Sequence, residues 1–295
     1  MRVLITGATG FVGQHLVSLL IAGENETAIL VREAYGMGQP LPASLAAIRD
    51  RLQVVYADLR NYRLTGRALQ QAQPDVVFHL AAAGVADPFL AVDTAMRHNV
   101  AGAINLVRAT FKHSSTGRVI VARTPGEAAP ANAYQASKAA AWSFCQMYAR
   151  QMRWSIYGAA IFQTYGPGQQ SNTLVPATFA AALRGQDFPM TSGTQQRDWI
   201  YVDDVVAGLA ALAKADLEPA TSLDIGTGKG ATVLEVVNQV YALVGCGGRP
   251  LPGALSDRPG EQERQVADSQ RTNALLGWQA DTSLSEGLRK TLAFS

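Results

Sequence analysis

The sequence predicts an α/β fold, a doubly wound and largely parallel sheet with a smaller α+β lobe, and three observations carry this. Short apolar runs alternate with helix-length segments through the first half of the chain, the pattern of a parallel sheet covered by helices on both faces. The first run leads straight into a glycine-rich turn, Gly7-Ala8-Thr9-Gly10-Phe11-Val12-Gly13. After Tyr165-Gly166-Pro167-Gly168 the rhythm gives way to loops, shorter helices and isolated strands. With 295 residues, 48% of them apolar, the chain is near the upper size for one hydrophobic core, so a large domain with an added lobe is expected. The expected division gives residues 1–165 to the sheet domain, with some segments of 196–230 returning to it, and most of 166–295 to the lobe.

Taken in order, strands are predicted over residues 2–6, 27–31, 52–57, 75–79, 118–122 and 155–161, and helices over 11–22, 65–73, 93–113 and 132–152. Right-handed crossovers make the doubly wound topology the natural one. In the lobe, 198–202 and 222–225 read as strands, and the Gly/Pro clusters of 245–260 as a folded loop region. No internal repeat is visible.

Several function classes are disfavoured. A net charge of +2, from 25 basic and 23 acidic residues, supplies no broad field for a nucleic acid. No run approaches the roughly 18 apolar residues of a membrane span, and the apolar start is broken at Gly7, unlike a secretion signal. No membrane partner and a cytoplasmic location are expected. Cys145 and Cys246 lack CxxC spacing and read as reduced thiols, while His15, His79, His98 and His113 are scattered, so no metal is expected.

The glycine turn follows a strand and opens a helix. Glycine at these spacings permits the tight turn, the approach of backbone to a pyrophosphate and close helix–strand packing, which makes the domain a Rossmann-type dinucleotide fold. The second strand ends in Arg32 followed by Glu33. A guanidinium there suits a ribose 2′-phosphate, so NADP(H) is preferred and NAD is the alternative. Two readings compete: Glu33 as the ribose acceptor, or Arg32 as a solvated loop residue. Asp58 is read as an acceptor for the adenine amine or as a helix N-cap. His79-Leu80-Ala81-Ala82 closes the fourth strand with small residues where a cofactor would cross the sheet, His79 itself reading as a satisfied, partly buried residue.

Tyr134 and Lys138, in Tyr134-Gln135-Ala136-Ser137-Lys138, share a helix face one turn apart. A nearby Lys cation stabilises a phenolate, bringing a Tyr of ordinary pKa about 10 toward a useful range. An isolated pair of this kind is more often structural. Together with Thr6-Gly7-Ala8-Thr9-Gly10-Phe11-Val12-Gly13, Tyr165-Gly166-Pro167-Gly168, Arg197-Asp198-Trp199-Ile200-Tyr201-Val202-Asp203-Asp204 and Arg258-Pro259-Gly260-Glu261, it resembles the extended short-chain dehydrogenase/reductase family, the NAD(P)-dependent epimerases, dehydratases and reductases of nucleotide sugars.

The resemblance spans essentially the whole chain. It implies Tyr134 as acid/base, Lys138 on the nicotinamide ribose and Thr124 as the third catalytic residue. The implied cofactor set is Gly7, Thr9, Gly10, Phe11, Val12, Gly13, Arg32, Asp58, Leu59, Leu80, Ala81, Ala82 and Asn99, with Tyr134 and Lys138. Gln163, Asn172, Arg197 and Arg258 are the implied substrate residues, the two Arg gripping a diphosphate; read without the resemblance, Arg197 would pair with Asp198 and Arg258 with Asp257. The loop from Thr124 to Tyr134 is much shorter than is usual in the family. Pro125 and Gly126 stand where dehydratases carry an acidic pair, which disfavours a dehydratase. The expected activity is an NADP(H)-dependent reductase of a 4-keto nucleoside-diphosphate sugar. Its alternatives are an NAD-dependent nucleotide-sugar 4-epimerase and a catalytically idle cofactor-binding scaffold. A homodimer through helices 93–113 and 132–152 is implied by the resemblance alone.

Overall fold

The first apolar run forms strand β1 (Arg2–Thr6), buried throughout after Arg2, as a strand with helices on both faces must be. The structure is a computed structural model that describes residues 1–294 except Ala86, Pro88 and Pro259. β1 is followed by α1 (Phe11–Ala22), β2 (Glu26–Val31), the one-turn α2 (Ala43–Ala46), β3 (Leu52–Tyr56), α3 (Tyr62–Ala72), β4 (Val76–His79), α4 (Val92–Ala95), α5 (Gly102–His113), β5 (Arg118–Arg123), α6 (Ala133–Met152) and β6 (Ile156–Ile161). The second half contributes β7 (Gln163–Tyr165), α7 (Leu174–Leu183), β8 (Phe188–Pro189), β9 (Gln196–Tyr201), α8 (Val202–Lys214), β10 (Ser222–Ile225), β11 (Gly230–Thr232), α9 (Val233–Val244), β12 (Pro250–Leu251), β13 (Arg264–Gln265), α10 (Ser269–Leu276) and α11 (Leu284–Leu292).

The main sheet has seven strands in the order β10-β6-β5-β4-β1-β2-β3, and the neighbours from β6 through β3 pair in parallel. This is the doubly wound fold that the alternation predicts. Chain order reverses between β1 and β4, and ligands of such sheets bind outside the carboxyl ends of the strands at that switch. Helix α1 covers the sheet with Gly13, Leu16, Val17, Leu20 and Ile21, an i, i+3, i+4, i+7 stripe. Helix α6 buries Ser137, Lys138, Ala141, Trp142, Cys145 and Ala149, so its apolar stripe carries a cation at one end.

The chain divides into two compact units, one of Met1–Ala160 and Leu209–Leu223, the other of Ile161–Gly208 and Asp224–Ser295. One core, around Leu4, Leu30, Leu106, Val119 and Trp142, belongs to the first unit. The second has its own, around Tyr165, Phe179, Trp199 and Val240. There β9 pairs in parallel with β7 and β13 and antiparallel with β11, and β8 pairs with β12.

Three expectations need correcting. The helix expected over 93–113 is α4 and α5 joined by a π-helical stretch, Met96–Ala101; an extra residue per turn is invisible to a 3.6-residue pattern. The helix expected over 65–73 starts earlier, because the Asn61 side chain accepts from the Leu64 amide at 3.2 Å and caps it. The strand expected over 198–202 starts at Gln196, and Val202 already begins α8 with Asp203 and Asp204 in its first turn. Among the described residues no helix is long and apolar enough to cross a membrane, and no group of three His, Cys, Asp or Glu is placed to hold a metal ion.

Candidate active site

The turn between β1 and α1 lies at the switch point. Gly7 has φ +75°, and a Cβ there would stand 2.5 Å from the Ala81 amide nitrogen, so this glycine lets the ends of β1 and β4 meet. A Cβ on Gly13 would fall 2.2 Å from the Gly7 carbonyl oxygen, which makes it the close helix–strand contact. Gly10 differs. Its Cβ would meet only the Gly7 oxygen, at 3.3 Å, and the residue is exposed at the start of α1, where no side chain caps the helix. An uncapped helix N-terminus behind a glycine with open space fits the pyrophosphate of a dinucleotide. The Thr9 carbonyl accepts from the Gln14 side chain at 3.1 Å, and Phe11 and Val12 are half-buried.

At the end of β2, Arg32 is exposed while Glu33 turns inward, accepting from the Asp58 amide at 3.2 Å. Asp58 is not the N-cap of α3, which is Asn61. Its carboxylate instead takes the Arg60 amide and Nε, each at 2.9 Å, and that guanidinium holds it below the usual carboxylate range. Asn105, which no sequence pattern marks, donates to the carbonyls of Leu59 and Arg60 at 2.9 and 3.1 Å and fixes this loop. His79 is fully rather than partly buried. Its Nδ1 lies 2.8 Å from Thr6 Oγ1, and burial holds the imidazole down to about 3.

Leu80, Ala81 and Ala82 follow, half-buried. The loop continues to Ala83, which Asn99 grips from the π-helical stretch: Oδ1 accepts from the Ala83 amide at 2.8 Å and Nδ2 donates to its carbonyl at 3.0 Å. Nδ2 also donates to Ser137 Oγ at 2.9 Å, and Ser137 donates to the Tyr134 carbonyl at 2.8 Å. The Asn99 amide is thus engaged by protein atoms, and it braces the loop after β4 against the first turn of α6.

That first turn carries Tyr134, with Lys138 one turn on. Asn132 caps the helix by accepting from the Gln135 amide at 3.0 Å. Lys138 is buried and its pKa is lowered by that burial, against an upward pull from Glu127. The Tyr134 phenol is pushed up, by burial first and by the Glu127 charge second. This is the reverse of the lowering that the Lys spacing predicts. Thr124 follows β5 and opens a 3₁₀ turn, Pro125–Ala128. Its amide donates to Glu127 Oε1 at 2.9 Å, and Glu127 Oε2 takes Arg123 Nε at 2.8 Å. Sequence reasoning passes over Arg123, Glu127 and Ser137; the i, i+4 charge pair across the short loop is the available signal.

In the second unit Arg197 is buried on β9 and donates to the Gln196 carbonyl and to Glu261 Oε1, both at 2.8 Å. A pairing with Asp198 fails because adjacent strand residues face opposite ways. Glu261, to which the sequence assigns no role, also accepts from Gln195 Nε2 at 3.3 Å. Arg258 is exposed, and Asp257 binds the Ser192 amide and hydroxyl at 2.9 Å rather than Arg258. Pro259, in the same motif, lies outside the described residues. Asn172 is exposed one residue before Thr173, which is the N-cap of α7, and Gln163 is exposed on β7.

A glycine turn at the switch of a doubly wound sheet, with Tyr and Lys one turn apart on the neighbouring α6, defines the short-chain dehydrogenase/reductase class of enzymes. Within that class the chain belongs to the NAD dependent epimerase/dehydratase family, whose profile matches residues 3–226; it is an extended member. It is 30% identical to a UDP-glucose 4-epimerase of Mycolicibacterium smegmatis, covering 100% of this chain and 98% of the relative. A dTDP-glucose 4,6-dehydratase of Neisseria gonorrhoeae is 27% identical over 99% of this chain and 94% of its own length. Among solved structures, MoeE5 in complex with UDP-glucuronic acid and NAD superposes with a TM-score of 0.86 at 28% identity, covering 100% of this chain and 98% of that one.

Proposed function

We propose that the protein is a reductase of a 4-keto nucleoside-diphosphate sugar that uses NADPH. The observation that carries this over the epimerase reading is the end of β2, where Arg32 is exposed and Glu33 is turned back onto the Asp58 amide. A guanidinium facing outward suits a 2′-phosphate, whereas Glu33 is drawn back toward the Asp58 amide through one of its two oxygens.

When bound, the nicotinamide supplies the hydride. The chain does the rest. The N-terminus of α1 and the Gly7–Gly13 turn bind the pyrophosphate, with Leu59 and Leu80–Ala82 lining the cofactor bed. Lys138 holds ribose hydroxyls through Nζ. Tyr134 keeps its proton at Oη until the sugar oxygen becomes an alkoxide and then donates it, while Thr124 Oγ1 orients the same oxygen. In the second unit Arg197 and Arg258 take the substrate diphosphate, with Gln163 and Asn172 as further polar contacts. Arg197 must then share or exchange its present contact with Glu261. A homodimer through α5 and α6 is part of the proposal, supported by the exposed Phe144 and Met152 on α6.

A second reading, an NAD-linked 4-epimerase, is favoured by the full-length similarity to an enzyme of that name. The dehydratase reading has Pro125 and Gly126 against it. Purification decides between reductase and epimerase. The reductase should leave the column without nucleotide, and it should oxidise added NADPH with 4-keto nucleotide sugars. Arg32→Ala should weaken NADPH binding about tenfold or more with NADH little affected. Stoichiometric NAD carried through purification overturns the reductase. If Tyr134→Phe oxidises NADPH with these sugars as fast as wild type, the assignment of the chemistry to this site fails; a wild type that turns over none of them is the idle scaffold.

A further inference from the structure

We propose that the cleft between α3 and α5 is a second ligand site, one that binds a small phosphate-bearing anion: inorganic phosphate or the phosphate monoester of a small molecule.

The cleft has a volume of about 240 Å³ and is lined by Tyr62, Arg63, Gly66, Arg67 and Gln70 of α3 and by His113, the last residue of α5. None of these belongs to the cofactor or substrate sets. Positions 63, 66, 67 and 70 form one i, i+3, i+4, i+7 face of α3. Gly66 makes the floor. A Cβ there would stand 3.0 Å from the His113 ring, so bare backbone is what gives the imidazole its place. His113 Nε2 lies 3.2 Å from the Tyr62 hydroxyl, and the Arg108 guanidinium lies 5.2 Å over the Tyr62 ring. The α6 side of α5 is elsewhere: Phe111, which stacks on Trp154 just past α6, is roughly 200° around the helix from His113.

Arg63, Arg67, Arg108 and Lys112 are exposed, and neither helix contains an Asp or Glu. The ion pairs among the described residues include none of these four cations. Helix stability accounts for only part of this cluster. Lys112 and His113 complement the C-terminal dipole of α5, but Arg63 stands in the first turn of α3, where an acid is favoured. Arg67 then sets a like charge at i+4, and Gly66 weakens the helix between them. Three locally unfavourable choices on one face of one helix, all lining one cleft, mark a functional surface.

The chemistry of the lining selects the ligand. Guanidinium forks match phosphate oxygens bidentately, the Gln70 amide adds a neutral donor, and the positive end of α3 adds its dipole. The volume selects the size. Drug-sized ligands fill pockets of roughly 300–1,000 Å³, so this cleft takes a phosphoryl group with a small remainder and not a dinucleotide or a nucleotide sugar.

The test uses the full chain labelled with ¹³Cε1-histidine. Its four histidines give four ring signals, and His113→Gln identifies the one in the cleft, so binding here is read apart from any anion in the dinucleotide turn. Inorganic phosphate and methyl phosphate are titrated against chloride at fixed pH and ionic strength. The His113 signal should move saturably with phosphate and stay still with chloride. Arg63→Gln with Arg67→Gln should weaken that binding about tenfold or more. Gly66→Ala, which crowds the imidazole, should weaken it as well and serves if the double variant folds poorly. Methyl phosphate binding as tightly as phosphate assigns a monoester, and saturation by inorganic phosphate alone assigns the free ion. A His113 response that chloride reproduces, that stays linear throughout, or that survives in the variants overturns the proposal. So does a response to a short DNA duplex with none to either phosphate, which would make this face a polyanion surface.

Discussion

Of the three glycines in the first turn, the chain itself demands only two. Gly7 and Gly13 press on backbone, and a Cβ on Gly13 would meet the Gly7 oxygen at 2.2 Å. Gly13→Ala should therefore cost on the order of 2–3 kcal/mol, by overpacking against atoms that cannot rotate away. Gly10→Ala meets one atom at 3.3 Å and should unfold within about 0.5 kcal/mol of wild type, yet weaken dinucleotide binding about tenfold or more. Urea melts and fluorescence titration of NADPH measure both; undiminished binding by Gly10→Ala would remove the pyrophosphate from this turn. Tyr134→Phe should lose about 10²- to 10⁴-fold in kcat, measured in NADPH oxidation with a 4-keto nucleotide sugar. Residues of this kind are legible in sequence because their chemistry depends on local spacing. Glu127 and Glu261 are not, since each acquires its role from a partner that only folding supplies: a buried turn for one, an Arg 64 positions away for the other.

Elements are legible where their period is regular and obscure where it breaks. The β1–α1 unit, the glycine turn and the stripe of α6 follow from 2.0- and 3.6-residue repeats. The π-helical stretch that carries Asn99 does not, and it converts a residue expected at the cofactor into a brace between the Ala83 loop and α6. A comparable brace organises the second unit. Asp198, buried on β9, accepts from the Thr227 amide and hydroxyl at 2.8 and 2.7 Å, from Gly228 N at 2.8 Å and from Ala267 N at 3.2 Å. It ties the turn after β10 to the segment leading into α10. Asp198→Ala leaves those donors buried without their acceptor and should cost about 2–4 kcal/mol. Asp198→Asn should recover little, because its NH₂ would face backbone amides that also donate. A urea midpoint for Asp198→Ala equal to wild type would mean that water replaces the carboxylate and the brace is dispensable.

For the molecule as a whole, His79, which sits under the switch of the main sheet, should be a main source of acid sensitivity, with the half-buried His98, also held low by burial, adding to it in the same direction. Burial holds its imidazole down to about 3, from an ordinary value of 6.5. Between those two values the unfolded chain binds a proton that the folded one refuses, so stability must rise with pH across that window and be lost as pH falls through it. The slope for one fully buried group approaches about 1.4 kcal/mol per pH unit. Acidification from near 6.5 to near 4.5 should then remove roughly 2–3 kcal/mol, a large share of the 5–15 kcal/mol typical of a folded protein. The carboxylates held low by partners, Asp58 beside Arg60 and Asp75 beside Arg2, begin to withdraw their contribution only as pH falls through the usual carboxylate range, so the upper part of the His79 loss stands clear of theirs. His79→Gln tests the assignment. It gives up the Thr6 contact of the neutral ring, so it should melt below wild type near pH 8. Its midpoint should nevertheless stay nearly level down to about pH 5, where that of wild type slopes. Parallel profiles for the two proteins would show that another group carries the acid sensitivity and that the buried imidazole titrates without consequence for folding.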